Sequence, residues 1–243
     1  MHSTRLATAA ALIITGVLSA TAWAGQGTPR ANDSDEAKGI TESIMVLREL
    51  TTAPDSRVPD YLLARAEAIV VIPTLVKGGF IIGAKHGKGV ISTRDRATAT
   101  WSNPAFVNMT GGSIGWQIGV ESVDLVLLVM NARGVNDLLE DRFTIGGSLS
   151  IAAGPVGRTG DAATNAQVTA QILTYSRARG LFAGATLEGA GLRGDNDANK
   201  AAYGTTALRE VLSATPRPTA PEAAATWRAT LKQLAGATFE PNP

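Results

Sequence analysis

The residues best suited to chemistry are six cationic or titratable side chains gathered between positions 77 and 96. They are Lys77, Lys85, His86, Lys88, Arg94 and Arg96, with glycines close by at 78, 79, 87 and 89. Lysines beside exposed backbone N–H groups are components of anion and phosphate sites. The alternative is that these charges only protect a sheet edge from aggregation. The run from residue 85 to residue 88 is typical of a turn between two short strands, so the sequence predicts a basic hairpin.

A second group resembles a catalytic motif. Residues 111–115 read G-x-S-x-G around Ser113, and a triad of Ser113 with His86 and Asp124 is conceivable because triads are defined by geometry. The motif requires a strand before the serine and a helix after it, whereas residues 116–120 alternate like a strand. We therefore expect no catalytic residue here and interpret the motif as a turn that leads into a strand.

Two further motifs are incomplete. Gly189, Gly191 and Gly194 form a G-x-G-x-x-G, but the sequence after the following helix offers no parallel strand to complete a dinucleotide fold. Residues 195–199 begin like a calcium loop, yet a lysine stands where that loop needs glycine and Thr206 where it needs a glutamate. The sequence therefore predicts neither a cofactor nor a metal, and it favours a capped helix N-terminus at Asp195.

Composition restricts the function classes. The chain has 22 Lys and Arg against 21 Asp and Glu, so it lacks the basic excess of a dedicated nucleic-acid binder. It has no cysteine, which excludes disulfides, a thiolate zinc site, a cysteine nucleophile and lipoprotein acylation.

The N-terminus has the three parts of a secretory signal. Arg5 precedes the apolar run from Leu6 to Ala20, and residues 22–24 read A-W-A before Gly25. We predict a signal peptide over residues 1–24 and a periplasmic or envelope-associated protein. A retained anchor is the alternative, although the run is short for a span of about 20 residues. Residues 25–32 are polar, and we expect them to be disordered.

Hydrophobic spacing predicts the elements that must position these residues. A helix capped by Asp33 carries Ala37, Ile40, Ile44 and Leu47 on one stripe, and a short helix starts at Pro59. Strands are predicted at 68–72, 79–84, 89–92, 106–110, 114–120, 123–130, 144–152, 168–176 and 181–188. Further helices are predicted at 135–139, 195–203, 206–213 and 221–234. The expected fold is α+β: a mostly antiparallel, glycine-rich, strongly coiled or barrel-like sheet with N-terminal and C-terminal helices packed on it.

A series of short motifs resembles one known family. In order, they are I-V-V-I-P from Ile69, K-G-G-F from Lys77, G-K-G-V from Gly87, W-S-N-P from Trp101, G-W-Q-I-G from Gly115, A-G-P-V-G-R from Ala153, Y-S-R-A-R-G-L-F-A-G from Tyr175, L-E-G from Leu187 and Y-G from Tyr203. Together they resemble the SYLF domain, also called the Ysc-type actin-binding domain, over about residues 35–205. We assign residues 33–214 to this domain and residues 215–243 to a proline-rich connection and a C-terminal helix.

The resemblance implies lipid binding. Eukaryotic members bind phosphoinositides through an N-terminal amphipathic helix and basic residues, some fungal members bind actin, and bacterial members are typically exported and stand alone. In this chain the N-terminal helix carries four acids, Asp35, Glu36, Glu42 and Glu49, against Lys38 and Arg48. A basic helix is what favours an anionic surface, so we look to the predicted hairpin and to Arg158 instead.

The expected function is that of an exported, non-enzymatic protein that binds anionic phospholipid headgroups at the envelope membrane. The expected lipid-binding residues are Lys77, Lys85, His86, Lys88, Arg94 and Arg158. The first alternative is an envelope module that binds another protein, and the second is a serine hydrolase that uses Ser113. We expect neither nucleic acid nor, for an exported protein, actin as a partner.

Overall fold

The computed structural model describes residues 34–53, 57–139, 143–144, 150–157, 169–178, 181–184, 189–212 and 220–236. For residues 79–83, 113–120, 143–144, 181–182 and 184 only the backbone is described. The predicted signal peptide, the polar segment after it, Arg158 and most of the proline-rich connection lie outside the described residues.

Two long strands form the centre of the fold. The strand β1 spans Ala68–Thr93 and β2 spans Ala105–Val129. They pair antiparallel from Ala68 opposite Val129 to Ile91 opposite Ala105, with register shifts after Ile72 and after Gly79. The sequence predicted six short strands here. The break between the predicted strands 89–92 and 106–110 is observed, whereas the predicted turns at residues 85–88 and 111–113 were wrong because β1 and β2 continue through them. Glycine inside a strand bends it without ending it, so glycine-rich segments that resemble turns continue through both strands.

Five shorter strands complete the described sheet: Phe143–Thr144 (β3), Ile151–Ala153 (β4), Ile172–Ala178 (β5), Leu181–Gly184 (β6) and Ala190–Gly194 (β7). The second edge of β2 binds β7 near its start, where Val107 pairs with Gly194, and β5 near its end, where Val129 pairs with Ile172. The strand β4 runs parallel to β5, and the other described pairs are antiparallel. The prediction of a mostly antiparallel sheet is therefore confirmed.

The curvature of β1 is strong enough to bring distant parts of the same strand together. A Cβ atom on Gly87 would lie 2.7 Å from Ile72 Cγ2, and one on Gly89 would lie 2.8 Å from Ile72 Cα. Because real Cβ atoms do not approach other atoms so closely, only glycine permits this crossing. The prediction of a strongly coiled, glycine-rich sheet is confirmed, and these two glycines provide its physical reason.

Within the described residues, six helices accompany the sheet: Asp35–Thr52 (α1), Asp60–Arg65 (α2), Ala132–Leu138 (α3), Asn196–Tyr203 (α4), Leu208–Val211 (α5) and Glu222–Ala235 (α6). The N-cap of α1 is Ser34, whose hydroxyl accepts a hydrogen bond from the N–H of Ala37 at 3.1 Å. Asp33 was the predicted cap and precedes the described residues.

The terminal helices α1 and α6 contact each other, and α1 lies on β1. Ile40, Leu47 and Leu50 bury the apolar stripe of α1. Trp227 of α6 is fully buried, and its indole N–H donates to the hydroxyl of Ser92 in β1 at 2.8 Å. The predicted α+β arrangement with both terminal helices packed on the sheet is confirmed.

A buried polar side chain fixes α4 to the start of β2. Asn199 accepts a hydrogen bond from the backbone N–H of Phe106 at 2.8 Å and donates to the carbonyl of the same residue at 2.9 Å. The hydroxyl of Tyr203 donates to the carbonyl of Pro104 at 2.6 Å. The carbonyl of Phe106 also accepts a hydrogen bond from the backbone N–H of Asp195 at 2.9 Å. Together these bonds satisfy buried backbone groups, and they hold Asp195, the N-cap of α4, beside β1 and β2.

None of the described helices has the combination of length and hydropathy that a membrane-crossing helix requires.

Candidate functional site

The basic hairpin predicted from the sequence is not present. Residues 85–88 lie within β1 and pair with residues 111–108 of β2. Successive side chains of a strand point to opposite faces, so Lys85 lies on one face of β1 while His86 and Lys88 lie on the other. The structure therefore separates the lysines that the hairpin was expected to bring together.

The remaining predicted cations lie in different surroundings. Lys77 is half-buried in β1 opposite Glu121. Arg94 follows the end of β1, where its guanidinium donates to the carbonyl of Ala64 at 2.6 Å and lies 6.0 Å from the ring centroid of Trp101. Arg158 is outside the described residues. Of the predicted lipid-binding residues, the structure places only His86 and Lys88 on one common surface.

That surface is one wall of a groove of about 420 Å³ between the N-terminal half of α1 and the outer face of β1. We call it the α1–β1 groove. Its floor includes the buried residues Val90, Phe106 and Val107. Its walls and rim include Asp35, Glu36, Lys38, Gly39, Glu42, Pro73, Thr74, Val76, His86, Lys88, Asp195 and Ala198. An apolar floor with a few polar groups around it is the usual arrangement of a small-molecule site, and the volume falls within the range of about 300–1,000 Å³ for such sites.

Gly39 opens the groove from the side of α1. No atom lies within 4 Å of the position that its Cβ would occupy. Glycine inside a helix costs about 1 kcal/mol relative to alanine, and no neighbouring atom here requires the absence of a side chain. The effect of this glycine is therefore to leave space above the apolar floor.

The rim carries both signs of charge. Lys38 lies 3.6 Å from Asp35, and Lys88 lies 3.2 Å from Asp195, in both cases between the ammonium nitrogen and a carboxylate oxygen. Glu36 and Glu42 also line the groove, and within the described residues neither forms an ion pair. The rim therefore has four carboxylates against two lysines and one histidine.

Asp195 is the buried member of this rim. Burial by itself raises the pKa of this carboxyl, but the backbone N–H of Ala198 and the side chains of Lys88 and Asn108 outweigh it and lower the pKa below its ordinary value of 3.8. Asp195 is therefore a fixed negative charge at neutral pH that holds the exposed ammonium of Lys88 at the groove.

The C-terminal half of α1 is fixed to the sheet by a cluster of charges. Arg177 of β5 pairs with Glu49 of α1, and its Nε donates to Asp124 of β2 at 2.7 Å. Asp124 also accepts a hydrogen bond from the backbone N–H of Thr74 at 3.1 Å. Thr74 has a φ of 59° in the bulge of β1, a conformation that is costly for a residue with a branched side chain. The cluster thus joins α1, β1, β2 and β5.

The catalytic interpretation of Ser113 finds no support in the backbone. Ser113 lies inside β2 opposite Gly83, so neither the predicted turn nor a strand-to-helix elbow occurs there. Asp124 lies farther along the same strand and is engaged by Arg177 and Thr74.

The other two motifs have structural roles. Gly189, with a φ of 70°, precedes β7, and β7 pairs antiparallel with β2, so no parallel crossover forms. Asp195 caps α4 by accepting a hydrogen bond from the N–H of Ala198 at 3.2 Å. No group of metal-binding side chains occurs among the residues that the structure describes.

Sequence reasoning missed the residues that shape the groove on the side of α1. Glu36 and Glu42 were noted only as acids that weaken an anionic interaction, and Gly39 was not singled out. The signal was a glycine inside an otherwise regular amphipathic helix, at the centre of a face that also carries two carboxylates. No sequence pattern could have predicted the Asp124–Arg177 pair, because the two residues are 53 positions apart in sequence.

Comparison with known proteins identifies the family. A family model described as Ysc84, Las17-binding protein actin regulator, matches residues 110–234, just over half of the chain. The chain belongs to this family. The SYLF resemblance drawn from the short motifs is thereby confirmed.

Members of the Ysc84 family among the curated proteins are similar over a longer segment. The SH3 domain-containing YSC84-like protein 1 of Xenopus laevis is 33% identical over 170 residues, which cover 68% of this chain and 50% of that protein. Protein YSC84 of Saccharomyces cerevisiae is 36% identical over 153 residues, covering 62% of this chain and 32% of that protein. LAS seventeen-binding protein 3 of the same yeast is 34% identical over 168 residues, covering 68% and 36%. The chain thus spans about half or less of the length of these relatives.

Proposed function

We propose that this protein is an exported, non-enzymatic member of the Ysc84 family that binds membrane lipid at the cell envelope, and that the α1–β1 groove is its lipid site. The observation that carries the proposal is the groove itself, in which an apolar floor lies below a charged rim. Phospholipids have the same two parts, an apolar chain and a charged headgroup. Export rests on the N-terminal sequence pattern alone.

The groove suits insertion of an amphiphile from a membrane surface. Val76 is 41% exposed on its wall and is the accessible apolar side chain there, while the buried Val90 and Phe106 lie below it. Transfer of an acyl segment onto this surface would contribute about 25 cal/mol per Å² of apolar area removed from water. Lys88, with a side chain that is 71% exposed, can follow the headgroup without leaving the surface.

The expected preference for anionic headgroups was based on the hairpin. Since residues 85–88 lie within β1 and Lys88 is paired with Asp195, that preference now depends on only two of the six predicted residues, His86 and Lys88. The lipid proposal therefore rests on the shape and apolar floor of the groove, and the headgroup is a separate question.

The test is co-sedimentation with vesicles that mix phosphatidylcholine, phosphatidylethanolamine and phosphatidylglycerol. The protein is used as the expressing cell processes it, with its N-terminus established by mass spectrometry. We expect Gly39→Phe to fill the groove and reduce binding several-fold. Met45→Phe is the matched control, because Met45 is on the same helix and is 52% exposed outside the groove. Equal binding by both variants would exclude the groove as the site, and absence of binding by the unmodified chain would exclude the function.

A second candidate function is the binding of another protein. The family description names an actin regulator, and the yeast relative's name refers to LAS seventeen binding. If this chain shares such a role, its surface would bind a protein partner in the absence of lipid. Co-sedimentation with filamentous actin, together with pull-down of envelope proteins at high salt, separates the two candidates. Retention of a partner by Gly39→Phe, with no vesicle binding by the unmodified chain, would favour this second function.

A further inference from the structure

We infer that the α1–β1 groove selects a phospholipid whose headgroup carries a primary ammonium group, an inference that rests on the proposed lipid-binding function.

The unpaired charges of the rim are carboxylates. Lys38 and Lys88 are each bound to an acid, Asp35 and Asp195 respectively. Glu36 and Glu42 line the groove without an ion pair among the described residues. A purely anionic headgroup would face these two carboxylates and be repelled, whereas an ammonium group would be attracted to them.

The two carboxylates lie on either side of the opening in α1. Glu36, Gly39 and Glu42 are three residues apart, so they follow one another along neighbouring turns of the helix. The space beside Gly39, where no atom lies within 4 Å of the missing Cβ, is therefore bordered by a carboxylate in each direction along the axis. An ammonium group that enters above Gly39 comes within reach of both side chains.

The opposite wall offers groups for a phosphate. His86 and Lys88 lie on the same face of β1 and line the groove across from α1. The ammonium of Lys88 is mostly exposed and has three N–H donors, so it can bind a phosphate oxygen while it keeps its bond to the buried Asp195. The two walls together therefore match a headgroup with both a phosphate and an ammonium.

The ammonium is a primary one because carboxylates bind it by hydrogen bonds. A primary ammonium has three N–H donors, and charge-assisted bonds to carboxylates are about twice as strong as neutral ones. A trimethylammonium group has no donor and is recognised by several aromatic faces. Among the lining residues of the groove, Phe106 contributes the single phenyl ring.

The experiment compares three vesicle types under the same conditions: phosphatidylcholine alone, and phosphatidylcholine with an equal fraction of either phosphatidylethanolamine or phosphatidylglycerol. We expect the unmodified chain to bind the phosphatidylethanolamine vesicles about tenfold more tightly than the other two. The variant Glu36→Gln/Glu42→Gln should lose this preference. The control Asp60→Asn/Asp197→Asn removes the same charge from two acids outside the groove and should keep it. Glu42→Asp, which retains the charge, should keep most of it.

The outcomes separate the inference from the function on which it rests. Equal or tighter binding to phosphatidylglycerol vesicles by the unmodified chain would overturn the inference and leave the lipid function intact, as would a preference that survives in Glu36→Gln/Glu42→Gln. Absence of binding to all three vesicle types would overturn both. Binding of a basic, apolar peptide in the groove without vesicle binding would also overturn both and would indicate a protein partner. Urea unfolding of each variant shows that a loss of binding is not a loss of fold.

Discussion

The two halves of α1 lie on the same sheet but use it differently. In the C-terminal half, Leu47 and Leu50 are fully buried and Glu49 is tied to Arg177 of β5. In the N-terminal half, Gly39 and Glu42 stand at an open groove. Ile40 packs into the core in this half as well, so the apolar stripe runs along the whole of α1, and only the N-terminal half also forms a wall of the candidate site. Stability and binding should therefore be separable by mutation along a single helix.

The bulge of β1 connects the two halves. On one side the N–H of Thr74 donates to Asp124, which Arg177 also binds. On the other side Pro73, Thr74 and Val76 line the groove. The charge cluster that fixes the C-terminal half of α1 therefore also determines the shape of the wall that the N-terminal half faces.

We expect the largest change in the free energy of unfolding when a core contact of the C-terminal half of α1 is removed. Leu47→Ala removes a fully buried side chain and should lower the free energy of unfolding by about 2–5 kcal/mol. The exposed neighbour, Met45→Ala, should change it by less than about 0.5 kcal/mol. Urea unfolding followed by circular dichroism measures both, and similar losses for the two variants would contradict the assignment of the helix faces.

The next largest change in stability should come from the charge cluster of Glu49, Asp124 and Arg177. Asp124→Asn weakens the bonds to Arg177 and to the N–H of Thr74 in a mostly buried position, so we expect a loss of about 2 kcal/mol. Asp35→Asn removes a nearly fully exposed acid of the N-terminal half, and we expect no measurable change in stability. If the two variants unfold at the same urea concentration, Asp124 does not fix the bulge as we describe.

Two glycine substitutions should change the free energy of unfolding in opposite directions. Gly89→Ala forces a methyl group against the backbone of residue 72 and should cost about 1–3 kcal/mol. In Gly39→Ala the added methyl group has no atom within 4 Å, so the substitution should stabilise α1 by up to about 1 kcal/mol. Thermal unfolding of both variants checks this contrast, and destabilisation by Gly39→Ala would mean that the groove is closed at this position.

The smallest effect is the pH dependence that comes from Asp195. Its folded-state pKa lies below its ordinary value of 3.8, so the stabilisation is present above that value and is lost as the pH falls through the folded-state pKa. Asp195→Asn should therefore reduce the difference in unfolding free energy between about pH 6 and about pH 3. An unchanged difference would show that the carboxyl does not interact with Lys88 and the N–H of Ala198 as the structure indicates.

Much of the fold could be predicted from local patterns. The stripe of Ile40 and Leu47 identified α1, and the glycines inside strands indicated strong coiling. The site could be predicted only in part, because His86 and Lys88 belong to it while Lys85 lies on the other face of β1. The sequence did not reveal that residues 85–88 continue a strand, since a turn and a bent strand use the same glycines. Pairing across the sheet decides between them, and it depends on residues far away in sequence.

The most direct test is hydrogen exchange of the protein with and without lipid vesicles, followed by mass spectrometry. If lipid enters the α1–β1 groove, amides in residues 35–42, 74–76 and 86–90 should exchange more slowly with vesicles present. Amides in residues 47–52, which belong to the packed half of α1, should be unchanged. Protection that falls on residues 47–52, or on a surface away from the groove, would contradict the account.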